Sequence, residues 1–151
     1  MFPSLRGVFA SFESHDVRYL VIGGIAAILH GVPRMTFDLD ILIAPTSENA
    51  RRLLDALLEA GFATADLTTP EQVLANEITV FQDRERIDVQ TSTPGIDFDS
   101  AWERRRSVLV GGQIVQVLAR ADLISSKRAS GRPVDLEDVR ALDDDGGVED
   151  T

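Results

Sequence analysis

The spacing of apolar residues over the first thirty positions predicts a helix, a strand and a second helix. The first helix has its apolar positions at Leu5, Val8, Phe9 and Phe12. The run 17–22 (VRYLVI) is typical of a buried strand, which Gly23-Gly24 would end. The Ala-rich run 25–30 then predicts a short helix that stops at Gly31.

Residues 34–43 (RMTFDLDILI) alternate between polar and apolar with unusual regularity. A period of two predicts a strand, because successive side chains of a strand point to opposite faces. The apolar face of this strand would carry Met35, Phe37, Leu39, Ile41 and Ile43, and the polar face Arg34, Thr36, Asp38 and Asp40.

Capping signals place the next two helices. Thr46 and Ser47, after Pro45, would cap a helix with Gly61 after it and with an apolar stripe at Leu53, Leu54, Leu57 and Leu58. The run 69–72 (TPEQ) has the form of a capping box with proline in the first turn, so a second, short helix follows it.

The second half of the chain predicts a pair of strands, a hairpin and three helices. Strands over 78–81 and 86–90 flank a polar turn, and a helix is expected over 98–105. Gly111-Gly112 lies between apolar runs at 108–110 and 114–115, which favours a tight hairpin. Helices near 121–130 and from about Asp135 complete the domain. The prediction is therefore a single α/β (α+β) domain over 1–142, a mixed sheet flanked by helices, with an acidic disordered tail over 143–151.

Composition excludes several classes of protein. The 151 residues include no cysteine, so disulfides, thiolate metal sites and a cysteine nucleophile are excluded. No apolar run approaches the length of a membrane span, and the first residues lack the pattern of a secretion signal, so a cytoplasmic location is expected. His15 and His30 have no ligand-like spacing, which disfavours a zinc site.

The net charge of −10 argues against binding of nucleic acid through a large basic surface. Five of the acidic residues lie in the last nine positions, so the folded part carries about half of the excess. A local basic patch such as Arg104-Arg105-Arg106 leaves an RNA partner open but less favoured.

The central chemical feature is Asp38-Leu39-Asp40. On a strand, an i, i+2 spacing places both carboxylates on one face, where they repel each other unless a cation lies between them. Mg²⁺ prefers oxygen ligands and commonly shares them with substrate phosphates. The alternative is an ordinary solvated strand face. The metal-site interpretation is favoured because aspartate is disfavoured in strands and two of them here make a whole face polar between apolar neighbours.

Three further features are consistent with a metal–nucleotide site. Gly23-Gly24, between a strand and a helix, would let backbone N–H groups approach phosphates, although an ordinary turn has the same pattern. Asp88, between Ile87 and Val89, would complete a three-carboxylate cluster if its strand is a neighbour. Lys127 lies on the apolar stripe of its helix and would either meet an anion or pack its stem at the surface.

Asp135 is expected to be the N-cap of the last helix, with Asp138 in its first turn and Arg132 neutralising both.

The order of these parts resembles the DNA polymerase β-like nucleotidyltransferase superfamily. The segment 21–27 (VIGGIAA) continued through Arg34, Thr36, Asp38 and Asp40 is similar to its small bacterial branches, which include antibiotic nucleotidyltransferases, AbiEii-type toxins and single-domain relatives. The segment 127–138 (KRASGRPVDLED) is similar to the Lys…Arg…Asp segment of those relatives. Many members have serine where this chain has Gly24.

The resemblance implies transfer of a nucleoside monophosphate from an NTP to a hydroxyl, with release of pyrophosphate. It assigns Asp38, Asp40 and Asp88 to catalysis and to two Mg²⁺ or Mn²⁺ ions. It assigns nucleotide binding to Gly23, Gly24, Arg34, Thr36 and Lys127. The acceptor is expected to be a protein or small molecule more than an RNA end such as a tRNA, with a protein partner or homodimer possible and no membrane contact.

Two other functions are compatible with the same residues. A nucleotidyltransferase-fold binding module, for example one component of a toxin–antitoxin pair, would bind NTP or a protein with little or no catalysis. A glycosyltransferase would use Asp-x-Asp to hold a sugar nucleotide, but it needs a larger nucleotide-binding sheet before the motif.

Overall fold

One mixed six-stranded sheet organises the chain, in the strand order β3-β4-β2-β1-β6-β5. The computed structural model describes residues 5–144. The helices are α1 (Arg6–Ser14), α2 (Gly23–Leu29), α3 (Ser47–Glu59), α4 (Pro70–Ala75), α5 (Phe98–Glu103), α6 (Arg120–Ser130) and α7 (Pro133–Asp144), with a 3-10 helix at Ala63–Leu67. The strands are β1 (Tyr19–Ile22), β2 (Leu39–Ile43), β3 (Ile78–Gln82), β4 (Arg86–Gln90), β5 (Arg106–Val110) and β6 (Gln113–Val117).

The pairing of the strands brings distant segments into one row. β2 is antiparallel to β1 and parallel to β4, and the outer pairs β3–β4 and β5–β6 are antiparallel hairpins. The register sets Ile22 opposite Asp40, Asp40 opposite Asp88, and Asp88 opposite Val80. Residues directly opposite each other in a sheet project from the same face, so Asp40 and Asp88 are neighbours.

The apolar core surrounds the central strands. All four residues of β1 are buried, as are Leu39, Ile41 and Ile43 in β2. Helices α1 and α3 pack on each other, as do α6 and α7, while α2 contacts β2. None of the helices within residues 5–144 is long and apolar enough to cross a membrane.

Several local predictions are confirmed. The capping box is complete, since the Thr69 side chain accepts from the Gln72 backbone and the Gln72 side chain accepts from the Thr69 backbone. The Thr46 side chain caps α3 by accepting from the Asn49 N–H. Gly111 and Gly112 both have positive φ, which is the backbone that a two-residue hairpin of this type requires.

The predicted strand over 34–43 is wrong in its first half. Pairing begins only at Leu39, and Met35 and Phe37 are 78% and 77% exposed instead of sharing the buried face. The reason is the length of the neighbours: β1 ends at Ile22, which pairs with Asp40, and β4 pairs from Ile87, opposite Leu39. Residues 34–37 therefore extend beyond both partner strands, and Asp38 lies just before β2, level with Arg86, the first residue of β4.

Helix boundaries differ from prediction at three places. α2 begins at Gly23 and so includes both glycines, and α5 ends at Glu103. α7 begins at Pro133, so Asp135 is a first-turn residue and its prediction as the N-cap is wrong. Proline is well suited to the first helical position because it has no N–H to satisfy there. The same helix runs through Asp144, two residues into the predicted acidic tail, and the rest of that tail lies outside the described residues.

Candidate active site

A pocket of about 530 Å³ opens where β1 ends and α2 begins. The eight residues that the sequence predicts for catalysis and nucleotide binding all line it: Gly23, Gly24, Arg34, Thr36, Asp38, Asp40, Asp88 and Lys127. They come from four separate parts of the chain, which the sheet register and the packing of α6 against α2 bring together.

Asp40 and Asp88 form the floor of the pocket from adjacent strands. Burial raises the pKa of Asp40 to about 7, and the nearby Asp88 and Asp38 carboxylates act in the same direction. The positive charge of Arg132 acts in the opposite sense. The Asp40 carboxyl therefore loses its proton less readily than an ordinary aspartate, first because it is buried and second because two other carboxylates lie near it.

Arg86 forms an ion pair with Asp88. Its Nε lies 2.9 Å from Asp88 Oδ1 and 3.9 Å from Asp38 Oδ2, and its Nη2 lies 3.4 Å from Asp88 Oδ2. Within residues 5–144 no group of three or more acidic or histidine side chains is already gathered around one metal position. Carboxylate oxygens are the donors that a hard divalent cation prefers, and Arg86 would compete with such a cation for Asp88.

The first glycine of α2 is required by the position of Asp40. Gly23 has φ of +68°, and a β-carbon there would lie 2.5 Å from Asp40 Oδ2. The backbone of Gly23 therefore lies directly against the carboxylate. At Gly24 a β-carbon would meet the Thr36 side chain at 3.1–3.3 Å, so Thr36 occupies the space beside this residue.

Gly23→Ala is expected to destabilise the fold by about 1–3 kcal/mol and to displace the Asp40 carboxylate. Gly111→Ala is the matched control, because Gly111 also has positive φ but a β-carbon there meets nothing within 4 Å. Urea unfolding measures both, and the excess cost at position 23 isolates the overlap with Asp40. Equal costs for the two variants would contradict this account.

Lys127 is buried, as its position on the apolar stripe of α6 predicts, but its partners are protein carboxylates. It is 4% exposed, with Nζ 2.8 Å from Asp138 Oδ2 and 3.4 Å from Asp135 Oδ1. Arg34 Nη1 donates to Asp138 at 2.6 Å, which joins the segment before β2 to α7. This buried network of ion pairs holds α7 against α6 and against Arg34.

Arg132 is a pocket residue that the sequence pattern assigned only to charge neutralisation. Its Nε donates to Asp135 Oδ2 at 2.6 Å, yet its side chain is 69% exposed and lines the pocket. Burial works to raise the pKa of Asp135, but hydrogen bonds from Arg132 and Ser130 and the charge of Lys127 leave that pKa below its usual range. A charged Asp135 holds Arg132 in place. Two features of the sequence could have identified Arg132 as a pocket residue. It lies in the break between two predicted helices, and it precedes Asp135 by three residues.

Both histidines have partners away from the pocket. His15 Nε2 lies 2.9 Å from Glu59, and His30 Nε2 lies 2.8 Å from the carbonyl oxygen of Leu118. In the predicted basic patch, Arg104 is paired with Asp122 and Arg105 lies over the Trp102 ring. Neither histidine, Arg104 nor Arg105 contributes to the pocket.

Comparison with solved structures shows the same fold in proteins of low sequence identity. A candidate nucleotidyltransferase from Thermotoga maritima superposes with a TM-score of 0.60 at 17% identity, over 93% of this chain and 91% of that one. An antigenic nucleotidyltransferase-like protein from Paracoccidioides brasiliensis gives 0.54 at 16% identity, over 91% and 72%. The antibiotic-resistance factor ANT(2'')-Ia gives 0.53 at 14% identity, over 92% and 80%. The predicted fold class is confirmed.

Sequence comparison identifies the family. No curated protein sequence matches the chain. A family model described as "Nucleotidyltransferase of unknown function (DUF6036)" matches residues 5–143, which is almost the whole chain. Neither this family nor any of the three solved structures is described as a glycosyltransferase. Because this model covers well over half of the sequence, the chain belongs to this nucleotidyltransferase family.

Proposed function

We propose that this protein is a metal-dependent nucleotidyltransferase that moves a nucleoside monophosphate from an NTP to a hydroxyl group. The observation that carries the proposal is the cross-strand pair Asp40–Asp88, with Asp38 beside it, in a pocket that is also lined by the exposed cation Arg132. Phosphoryl transfer depends mainly on positioning and on charge compensation. The pocket offers carboxylates for a metal and, in Arg132, an exposed cation for phosphates.

In the proposed reaction the acceptor oxygen bonds to the α-phosphorus and the bond from that phosphorus to the bridging oxygen breaks. Pyrophosphate leaves, and the hydroxyl proton passes to a pocket carboxylate. Arg132 is placed to contact the polyphosphate because its guanidinium is exposed in the pocket while Asp135 fixes it. The start of α2 at Gly23 can bring backbone N–H groups close to the phosphates, since no side chain intervenes there.

Asp38, Asp40 and Asp88 would hold Mg²⁺ or Mn²⁺, with two ions as the proposed number. When bound, such ions neutralise phosphate charge and activate the acceptor hydroxyl. The fit rests on the donor set: three oxygen ligands, one with its pKa raised to about 7 by burial and by its two acidic neighbours. Binding at Asp88 requires the Arg86 side chain, which is 42% exposed, to move away.

The acceptor is proposed to be a protein or small-molecule hydroxyl more than an RNA end. The chain has a net charge of −10, which opposes a long polyanion. Ile78 and Val134 line the pocket while 52% and 39% exposed, so one part of its wall is apolar and can contact an uncharged group. A cytoplasmic location and a protein partner or homodimer stay predictions.

Alpha-labelled NTPs test the reaction directly. We expect label to appear on an acceptor in cell lysate or on the protein itself, with pyrophosphate as the second product and with loss of both in EDTA. Gamma-labelled NTP is the control, because a kinase would transfer that label instead. Absence of alpha-label transfer with every NTP and either metal would contradict the proposal.

One observation favours a second candidate, a binding module with little catalysis. Arg86 already forms an ion pair with Asp88, so this carboxylate has a positive partner without any metal. A module of this kind, such as a toxin–antitoxin component, would bind NTP without alpha-label transfer. Calorimetry of NTP binding on the same preparation separates it from an unfolded or inactive sample.

Arg132→Gln is expected to weaken NTP binding about tenfold, because a charged hydrogen bond contributes roughly 1–3 kcal/mol. Binding of the corresponding NMP should change less if the outer phosphates are the partners. Arg128→Gln is the matched control, since Arg128 is 58% exposed and paired with Asp143 but lies outside the pocket. Calorimetric titration with Mg²⁺ measures all three proteins. An equal loss in both variants would show that Arg132 has no specific contact.

A further inference from the structure

A second cleft, of about 350 Å³, lies at the opposite end of β1 from the candidate active site. The active-site pocket includes Ile22, the last residue of β1, whereas this cleft includes Val17, Arg18 and Tyr19, where the strand begins. Its walls are the end of α1, part of α3, the end of α5 and β6. The two pockets share no lining residue.

Two arginines of this cleft lie against one indole ring. The guanidinium carbon of Arg105 is 3.9 Å from the centroid of Trp102, and that of Arg18 is 5.7 Å from it. Arg105 is also oriented by its donations to the Trp102 carbonyl oxygen at 2.9 Å and to Gln116 Oε1 at 3.2 Å. Stacking on an aromatic face and hydrogen bonds to the protein restrict the orientation of a guanidinium. Such a group is already oriented to bind an anion.

Neither guanidinium is paired with a carboxylate among the described residues. Arg34, Arg86, Arg104, Arg128 and Arg132 all make ion pairs within residues 5–144. Arg18 and Arg105 make none there, although acidic residues outnumber basic ones by 25 to 15 in the chain. Two cations that line one partly enclosed cleft without a carboxylate partner favour the binding of an anionic group there.

Other groups of the cleft restrict the kind of anion. Arg52, also in the wall, is paired at 2.5 Å with Glu48, whose side chain is 75% exposed. Glu13 and Asp16 line the same cleft, and Glu13 accepts from Gln113. These two carboxylates repel an extended polyanion, but they can accept hydrogen bonds from hydroxyl groups.

We propose that this cleft binds the phosphate monoester of a small hydroxyl-bearing molecule, such as a sugar phosphate. The phosphate accepts from the guanidinium groups of Arg18 and Arg105, in which Arg105 uses the N–H groups that do not bond to Trp102 and Gln116. The hydroxyl groups of the ligand donate to Glu13 and Asp16. The volume is sufficient for a molecule of this size, and the site is independent of the transfer reaction proposed for the other pocket.

The test uses Trp102, the single tryptophan of the chain, as a probe inside the cleft. Ribose 5-phosphate is titrated into the full chain while tryptophan fluorescence is recorded, with ribose and inorganic phosphate as separate arms. We expect a saturable change with ribose 5-phosphate, at least tenfold weaker binding of inorganic phosphate, and no change with ribose. The absence of a saturable change with ribose 5-phosphate would overturn the proposal, and equal affinity for inorganic phosphate would overturn the assigned role of the hydroxyl groups.

Two variants locate the site. Arg18→Gln and Arg105→Gln should each weaken ribose 5-phosphate binding at least tenfold, while the exposed Arg84→Gln leaves it unchanged. Arg18 is exposed, so its replacement keeps the proposal testable even if Arg105→Gln disturbs the packing of Trp102. Asp40→Asn should retain the fluorescence response. A response that persists in both cleft variants, or that is lost in Asp40→Asn, would overturn the assignment.

Discussion

Asp40→Asn is expected to reduce nucleotide transfer by about a thousandfold while making the metal-free protein more stable. The loss of transfer follows from the removal of a charged oxygen ligand at the centre of the carboxylate cluster, where several kcal/mol of charge compensation are at stake. The gain in stability follows from removal of a buried charge and of its repulsion, since burial first and then Asp88 and Asp38 oppose ionisation of Asp40. A change that damages function and stabilises the fold is typical of a site arranged for a ligand.

The gain in stability should depend on pH. The carboxyl of Asp40 has a pKa of 3.8 in the unfolded chain, and burial followed by its acidic neighbours raises the folded pKa to about 7. Because this pKa rises on folding, its favourable contribution is complete below the unfolded value and is lost as pH rises through the folded value. The wild type therefore loses stability between about pH 4 and 7, and the asparagine variant does not incur this loss.

Urea unfolding in EDTA at pH 5 and pH 8 measures the difference. We expect Asp40→Asn to exceed the wild type by about 1–2 kcal/mol at pH 8 and by less at pH 5. Addition of Mg²⁺ should stabilise the wild type more than the variant, because only the wild type retains the full ligand set. Asp55→Asn, an exposed acid on α3 outside the pocket, is the control for removal of one negative charge. A variant that is less stable than the wild type at pH 8 would contradict the proposed repulsion.

The parts of the fold that were predictable are those with a local cause. The capping box at Thr69 and the Gly111-Gly112 hairpin depend on residues within a few positions of each other, and both form as the sequence predicts. The juxtaposition of Asp40 and Asp88 was an expectation conditional on their strands being neighbours, and the register meets that condition. Alternation alone could not reveal that Met35 and Phe37 lie beyond the ends of both partner strands, because partner length is not encoded locally.

The residues that line the pocket were easier to predict than the ion pairs that those residues form. Spacing on α6 correctly predicts that Lys127 faces inward, yet whether its partner is a ligand or a protein carboxylate depends on how α7 returns against α6. The turn at Gly131 places Asp135 and Asp138 on Lys127, while Arg132 remains exposed in the pocket. Arg86 and Asp88 likewise lie on one face of β4, two positions apart. Their spacing allows an ion pair, but the sequence does not show whether Asp88 takes Arg86 or a metal as its partner.

Lys127→Ala is expected to destabilise the fold by about 3 kcal/mol, because it removes the positive charge that the two buried carboxylates share. Asp135 and Asp138 are each 3% exposed, so neither carboxylate can recover its hydration without movement of α7. The loss should not be larger, since Arg132 still bonds to Asp135 and Arg34 still bonds to Asp138. Thermal and urea unfolding measure the effect, and a change within about 0.5 kcal/mol, the range of ordinary surface substitutions, would contradict it.

The double variant Lys127→Ala with Asp138→Asn separates the buried ion pair from simple loss of the lysine stem. Asp138→Asn restores the balance of buried charge, and its amide oxygen can still accept from Arg34, so the double variant should be more stable than Lys127→Ala alone. NTP affinity, measured where each protein is folded, should fall less in Lys127→Ala than in Arg132→Gln, because two carboxylates already neutralise Lys127. If affinity falls further in Lys127→Ala, this lysine must leave its carboxylates to bind the triphosphate directly, and α7 must move when nucleotide binds.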